Sequence, residues 1–356
     1  MDAALKIMDP KGLQRFQLLE ADAVSAVTER FYSRLDTVYA KFGPRGRAAC
    51  RQDLAFHLEF LKPVLEFGLL APMVDYLRWL ASVLKARAIP GEHLALSLDW
   101  LAEFYVAHMN PADGAIVKAA LHAARKNFLA ASDVPLLPPQ PREPTQAAVA
   151  FQAALLAGNQ REALAIVNRC MDSGHTLVDV EVHIIQAAMY QIGEKWQANQ
   201  ITVAQEHIAT AIVQAVMTVA LLRSTPTAPI SKSVLLACVA GNHHTIGLRM
   251  VADSFQLAGW EIQYLGADVP TASLIQQIGK WSPDLVGLSL SFAQQLPVVR
   301  DIISQLSARF GSARPPVIIG GLAINRFDAL ADVVGADAHA FDAQTAIGAA
   351  TQIVSS

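Results

Sequence analysis

The run Val234-Leu235-Leu236-Ala237-Cys238-Val239-Ala240 passes through Gly241 into Asn242-His243-His244-Thr245-Ile246-Gly247. A continuous apolar run of this length reads as a strand covered on both faces, the mark of a parallel sheet sandwiched by helices. From Lys232 onward such runs alternate with helical spacing. Strands are expected near 233–240, 261–265, 284–290, 316–320 and 337–341. Helices are expected to start near Thr245, Thr271, Gln295 and Asn325, with a last one after Asp342. This rhythm predicts a doubly wound, flavodoxin-like (Rossmann-like) α/β domain over 232–356. Open sheets of this kind bind ligands at the carboxyl edge of their strands, where the histidine loop falls. Two later stretches reach the same edge: Gly287-Leu288-Ser289-Leu290-Ser291 and Val317-Ile318-Ile319-Gly320-Gly321.

The upstream text has a different texture. Apolar residues recur at helical spacing, as in Leu54, Leu58 and Leu61, then Leu77, Leu80 and Leu84, then Leu94, Leu98, Leu101 and Tyr105. Residues 1–132 therefore read as an all-helical domain of six or seven helices. Four prolines between Pro138 and Pro144 mark an extended linker over 133–146. Residues 147–224 read as a four-helix bundle, with turns at Gly158-Asn159, Gly174-His175 and Ala198-Asn199-Gln200 and a capping Thr202. Ser224-Thr225-Pro226-Thr227-Ala228-Pro229 is a second linker. The fold class is thus multidomain, α followed by α/β.

Composition narrows the partners. Among 356 residues, 53% are hydrophobic and 17% charged, and the net charge is −3. That balance gives no electrostatic case for nucleic acid or an anionic membrane. Residues 1–146 hold 17 Lys/Arg against 16 Asp/Glu, so no basic head is expected there. Cys50, Cys170 and Cys238 lie far apart and suggest neither a disulfide framework nor a zinc cluster. Met1 to Lys11 mixes charges without an apolar core, so no signal peptide is expected. The longest uncharged stretch, Ile208–Leu222, has 15 residues and reads as a buried helix too short to cross a bilayer. A soluble, cytoplasmic protein is the expectation.

Taken together, the histidine loop, Ser289-Leu290-Ser291 and Gly320-Gly321 resemble the Asp-x-His-x-x-Gly … Ser-x-Leu … Gly-Gly signature of cobalamin-binding domains. From Gly247 to Ser289 lie 41 residues (248–288) and from Ser291 to Gly320 lie 28 (292–319), about the family's own gaps. The resemblance implies that His244 displaces the cofactor's nucleotide base and becomes the lower cobalt ligand. The nucleotide tail would then thread past Ser289, Leu290 and Ser291 to Gly320 and Gly321, with His243, Thr245, Ile246 and Gly247 around the corrin. Two positions depart from the signature: Asn242 replaces the acid and Ser291 the leucine. Asn242 is expected to accept the distal imidazole N–H through its amide oxygen, without negative charge.

The bundle carries Trp196, nine residues, then Glu206-His207. This resembles the Trp-x9-Glu-His motif of light-sensing B12 proteins of the CarH type, and the likeness extends over residues 147–356. It implies a cap over the corrin. Trp196 would pack on the adenosyl group of adenosylcobalamin and Glu206 would hydrogen-bond it. His207 would be the upper cobalt ligand once light has broken the cobalt–carbon bond. CarH-like repressors begin with a winged helix-turn-helix, which this text does not show. Instead Arg51-Gln52-Asp53-Leu54-Ala55-Phe56-His57-Leu58-Glu59-Phe60-Leu61 and Asp75-Tyr76-Leu77-Arg78-Trp79-Leu80 look like the helical domain of photocobilins, which join B12 to a bilin, usually biliverdin. A bilin needs cations for its propionates and aromatic or imidazole groups around its rings. Arg45, Arg51 and Arg78 are candidates for the first; His57, Tyr76, Trp79, His93, Trp100 and Tyr105 for the second. A helical dimerisation domain with an aromatic core accounts for the same residues. The expectation is a sensor without catalytic activity, a homo-oligomer (a dimer) with light-dependent assembly and a separate output protein. A corrinoid methyl carrier of a methyltransferase system is the alternative.

Overall fold

The computed structural model describes residues 5–130 and 145–355. They fall into two compact units, Met1–Leu136 and Leu137–Ser356. Residues 133–144 of the expected linker lie outside the described residues.

The amino-terminal unit is helical: α1 (Pro10–Leu18), α2 (Glu20–Arg34), α3 (Asp36–Tyr39), α4 (Gly43–Phe67), α5 (Leu70–Lys85), α6 (Glu92–His108) and α7 (Pro111–Ala130). The first opens on Asp9, whose carboxylate accepts the Gly12 N–H at 2.8 Å, with Pro10 preset for the first helical position. At the other end of α4, Gly68 takes φ +75 and lets the chain leave the helix. Leu54, Leu58, Leu61, Leu77, Leu98, Leu101 and Tyr105 face inward and are sealed from solvent.

The second unit begins with the bundle: α8 (Gln146–Leu156), α9 (Gln160–Asp172), α10 (Leu177–Val180), a π turn (Glu181–Ile185), α11 (Gln186–Gln197) and α12 (Val203–Arg223). The π turn joins α10 to α11, so these elements make four rods. Thr145, Asn159, Thr176 and Thr202 each cap a rod through the side-chain oxygen. Phe151, Leu155, Val167, Ile185, Ile192, Val213 and Met217 form the bundle core. With 21 residues, α12 is longer than its uncharged stretch, and by length and composition alone it is apolar enough to cross a membrane. Its Ala209, Ile212, Val213, Val216, Met217 and Ala220 are buried in the bundle.

The segment after α12 is pinned rather than loose. The Thr227 N–H donates to the Leu257 carbonyl at 2.9 Å and the Ile230 N–H to that of Gly259 at 3.0 Å. The α/β part then runs β1 (Ser233–Val239), α13 (Ile246–Leu257), β2 (Glu261–Val269), α14 (Thr271–Trp281), β3 (Leu285–Ser289), α15 (Leu296–Phe310), β4 (Val317–Gly320), α16 (Leu322–Arg326), α17 (Leu330–Val334), β5 (Ala338–Ala340) and α18 (Ala343–Ser355). All strands are parallel in the order β2-β1-β3-β4-β5, the flavodoxin-like order with its switch point between β1 and β3. Two elements differ from expectation. The edge strand β2 continues to Val269, and the helix expected near Asn325 is two short helices separated at Phe327. Bundle and sheet share a core: Met250 of α13 and Ala343 of α18 are buried among the bundle residues.

Candidate functional site

The register of the sheet assembles the site. Cys238 pairs with Ser289, Ser289 with Gly320, and Gly320 with Ala340, so one row of residues crosses the carboxyl edge of four strands. The loop after β1 stands on this row. Asn242, His243, His244, Thr245, Ile246 and Gly247 are thereby brought beside Ser289, Leu290 and Ser291 and beside Gly320 and Gly321.

Asn242 does not play the expected part. It is fully buried; its amide nitrogen donates to the Ser289 carbonyl at 2.9 Å and its oxygen accepts the backbone N–H of His244 at 3.2 Å. The amide staples the β1 loop to β3, a task that needs a donor and an acceptor and that a carboxylate could not perform. The His244 ring is not held by Asn242. It is solvent-exposed on one side and meets the Phe292 ring edge-on at 5.3 Å. Burial by surrounding protein holds its pKa below the ordinary histidine range, His243 pushes the same way, and Glu206 pulls back. A neutral imidazole keeps a lone pair for a metal.

Several neighbouring residues are set by the fold itself. A side chain at Gly321, where φ is +103, would bring a Cβ within 2.3 Å of the Leu290 carbonyl oxygen, and one at Gly320 within 3.0 Å of that of Ala340. Close approach of two backbones already requires glycine at both positions. Ile246 packs on the bundle core, and Thr245 hydrogen-bonds Tyr264 of β2. Leu290 is sealed, and Ser289 and Ser291 are each 7% exposed. Gly247 is different. Nothing lies within 4 Å of where its Cβ would be, so no protein contact demands glycine there.

Sequence reasoning missed the residues that hold these loops together. Buried Gln295 accepts the Ser291 and Phe292 N–H groups at 2.8 and 3.2 Å and donates to the Gly241 carbonyl at 2.9 Å. Asp268 accepts the Gly241 N–H at 2.7 Å and donates its own N–H to the Asn242 carbonyl at 3.0 Å. The Cys238 thiol, pushed up to about 11 by burial, points at the His244 carbonyl. Only Gln295 left a signal, a polar residue directly before the helix start Leu296-Pro297.

Above the loop, Trp196 lies half-buried near the end of α11 and one turn separates it from the start of α12. On the first turns of α12 the Glu206 carboxylate accepts from His207 Nδ1 at 2.6 Å and from the Thr210 hydroxyl at 2.8 Å. With Nδ1 so engaged, His207 has Nε2 left over on an exposed ring. Glu206 is near enough to act on the charge of His244. The start of α12, with Glu206 and His207, and the β1 loop with His244 therefore approach one another.

In the amino-terminal unit the bilin candidates form separate groups. His57 Nδ1 meets the Tyr76 hydroxyl at 2.8 Å, and Trp79 lies 6.4 Å from Tyr76. Complete burial pushes His57 down to about 3, so it is neutral. His93 pairs with Tyr39 at 2.9 Å, and Trp100 stands edge-on to Phe31 at 4.7 Å under the Arg30 guanidinium. Tyr105 is fully buried against Phe16. Arg45 and Arg51 are exposed and Arg78 is half-buried. A shallow pocket of about 220 Å³ beside Trp100, lined by Val27, Arg30 and Phe104, is smaller than the roughly 300–1,000 Å³ of typical ligand sites.

Comparison with known proteins decides the family. Residues 232–350 match the family model described as B12 binding domain, and residues 148–221 match a second model of the same description. Dimethylamine corrinoid protein 3 of Methanosarcina mazei is 34% identical over 116 residues, 33% of this chain and 68% of that protein. The chain belongs to the B12-binding family. The HTH-type transcriptional repressor CarA of Myxococcus xanthus is 31% identical over 157 residues, 44% of this B12-binding chain and 52% of the repressor. The chain spans about half the length of most curated relatives it matches. Among solved structures, the monomethylamine corrinoid protein of Methanosarcina barkeri aligns over 58% of this chain and 95% of its own, at 21% identity and a TM-score of 0.48. Cobalamin fits the groups at this edge: an imidazole held below its ordinary range, buried hydroxyls at Ser289 and Ser291, and unfilled space over Gly247. His244 would hold the cobalt from below, and the B12-binding bundle would close the site from above.

Proposed function

We propose that this chain is a light sensor that binds adenosylcobalamin base-off, with His244 as lower ligand, and signals by rearranging its bundle and its homo-oligomer. The carrying observation is the Glu206–His207 pair, fixed by Thr210 on the first turns of α12 and electrostatically in reach of His244. Bound adenosylcobalamin supplies a cobalt–carbon bond that light can cleave. Trp196 offers an aromatic face to the upper group, Glu206 offers carboxylate oxygens to it, and His207 holds Nε2 ready as an upper ligand. Contacts that exist only while the upper group is present give the two bundle poses different free energies, which is what a switch requires. The protein acts without catalysis, as a cytoplasmic homo-oligomer (a dimer in one light state), through a separate output protein and with neither nucleic acid nor membrane as partner. Biliverdin is the second cofactor, and His57, Tyr76, Arg78 and Trp79 are the most coherent group for it; His57 and Tyr76 are buried, so helices must part to admit it.

A corrinoid methyl carrier is the second reading, favoured by the likeness to dimethylamine corrinoid proteins. One experiment separates the two. Protein reconstituted in the dark with adenosylcobalamin, with and without biliverdin, is recorded before and after green light. A sensor changes its cobalamin spectrum on illumination, loses the final form in His207→Ala, and loses adenosyl discrimination in Trp196→Ala. A light-stable spectrum and no red-absorbing bilin band would move the assignment to the carrier.

A further inference from the structure

The joint between bundle and sheet holds a pair of acids that the sensor reading does not use. Glu181, the first residue of the π turn, is 0% exposed, and Asp253 on α13 is 1% exposed. Arg249 donates to Asp253 Oδ1 at 2.6 Å and so satisfies one oxygen of the pair. Both Glu181 oxygens and Asp253 Oδ2 have no donor, although the two carboxyl groups are in hydrogen-bond contact with each other. Two carboxylates in that contact, with one guanidinium, leave three buried oxygens unpaired. A single proton resolves two of the three and leaves the Glu181 carbonyl oxygen without a donor. Glu181 as the neutral acid donates its O–H to Asp253 Oδ2, and Asp253 stays ionised facing Arg249. Burial, and then the charge of Asp253, raise Glu181 well above the ordinary carboxylate range, with Arg249 opposing.

We propose that Glu181 and Asp253 form a proton-sharing latch that pins the bundle to α13, closed with one proton between them and weakened by its loss. The latch is a property of the bundle–sheet joint and does not depend on the photosensing reading.

Around the pair, α11 carries Tyr190, raised by burial, and Glu194 and Lys195 in its last turns. Tyr264 of β2 feels both Arg249 and Asp253. On the same rod, Asp179 is engaged by Thr176 and by Gln344 of α18, and His183 acts on it. Packed against the π turn, α8 brings no charged residue, and neither does α18 along α13. The charges of α9 (Arg161, Glu162, Arg169, Asp172) lie on the exposed surface, and those of α12 are Glu206, His207 and Arg223 near its two ends.

Linkage gives the sign. Docked, the pair keeps its proton; separated, Glu181 meets water and ionises. Between the ordinary glutamate range and the raised value in the docked state, the ratio of docked to separated bundle therefore falls about tenfold per pH unit. Glu181→Gln keeps an N–H donor for Asp253 and has no proton to lose, so its docking is flat with pH.

The test uses the full chain with bound cobalamin, in the dark, in an Asp53→Asn background that removes a carboxyl group pushed up to about 6 by burial. Infrared spectra at mildly alkaline pH report protonated carboxyl groups. Hydrogen exchange of α13 and π-turn amides, corrected for intrinsic rates, reports docking across mildly acidic to alkaline pH. We expect an acid carbonyl band that vanishes in Glu181→Gln, and exchange that rises about tenfold per pH unit in the parent but not in the variant. If Glu181→Gln does not fold, Asp253→Asn serves, since replacing the carboxylate acceptor by an amide shifts the acid band. A spectrum without such a band, a band indifferent to these substitutions, or equal pH slopes in parent and variant overturns the latch.

Discussion

Gln295→Ala is the sharpest probe of how the site is held. The side chain makes three hydrogen bonds, and truncation strands their partners unequally. Ser291 N–H is buried, and leaving it without an acceptor costs about 1–3 kcal/mol. Phe292 N–H is half-buried and can recover part of its bond from water, so about 0.5–1.5 kcal/mol is at stake there. Gly241 is exposed, and its carbonyl is rehydrated at little cost. The sum is a loss of about 1.5–4.5 kcal/mol from the second unit. Because the released loops carry His244 and Ser291, cobalamin affinity falls as well. Denaturant unfolding of the second unit, followed alongside a spectral titration with cobalamin, measures both quantities. If Gln295→Ala unfolds within about 0.5 kcal/mol of the parent, the range of an ordinary surface change, and binds cobalamin equally well, the clamp is not what orders the loops.

Three further outcomes follow from the same geometry. His244, held below its ordinary 6.5, stays neutral into mildly acidic solution, so ligation to cobalt in a pH titration of the cobalamin spectrum fails only below that value. Gly321→Ala forces a Cβ to 2.3 Å from the Leu290 carbonyl at φ +103, and lowers the stability of the second unit by about 1–3 kcal/mol in denaturant unfolding. In the amino-terminal unit, His57 is depressed to about 3, so the folded state binds fewer protons than the unfolded one below 6.5. Stability is present above that pH and drops about tenfold in equilibrium constant per unit as pH falls toward 3, a slope that acid unfolding shows and His57→Gln removes.

How much was legible follows from what kind of interaction each residue makes. β1 and β3 read clearly because a strand buried on both faces must be apolar throughout; Val234 to Val239 are all sealed. β2 was read too short because it lies at the sheet edge, where Gly266 (φ +78) and Asp268 (φ +49) break the regular register and Gly266, Ala267 and Asp268 carry no apolar signature. The histidine loop, Ser289 and the glycine pair were visible because one motif spans consecutive strand ends of a parallel sheet. Asn242 was placed at the right edge with the wrong partner, since a sequence cannot say whether an amide turns toward a ring or toward a neighbouring strand. The Glu181–Asp253 contact left no trace, as it joins distant segments through tertiary packing alone.

The anchoring of residues 227 and 230 to the end of α13 makes the bundle a lever. Its fixed point is the carboxyl end of α12, and its free arm is the end that bears Glu206 and His207. From Arg223 back to His207 the arm is about 24 Å at roughly 1.5 Å per residue, so a tilt of about 10° at the pivot sweeps His207 through about 4 Å. A tilt of that size at the pivot is thus large enough at the tip to make or break a bond, and its reach is set by the length of one helix.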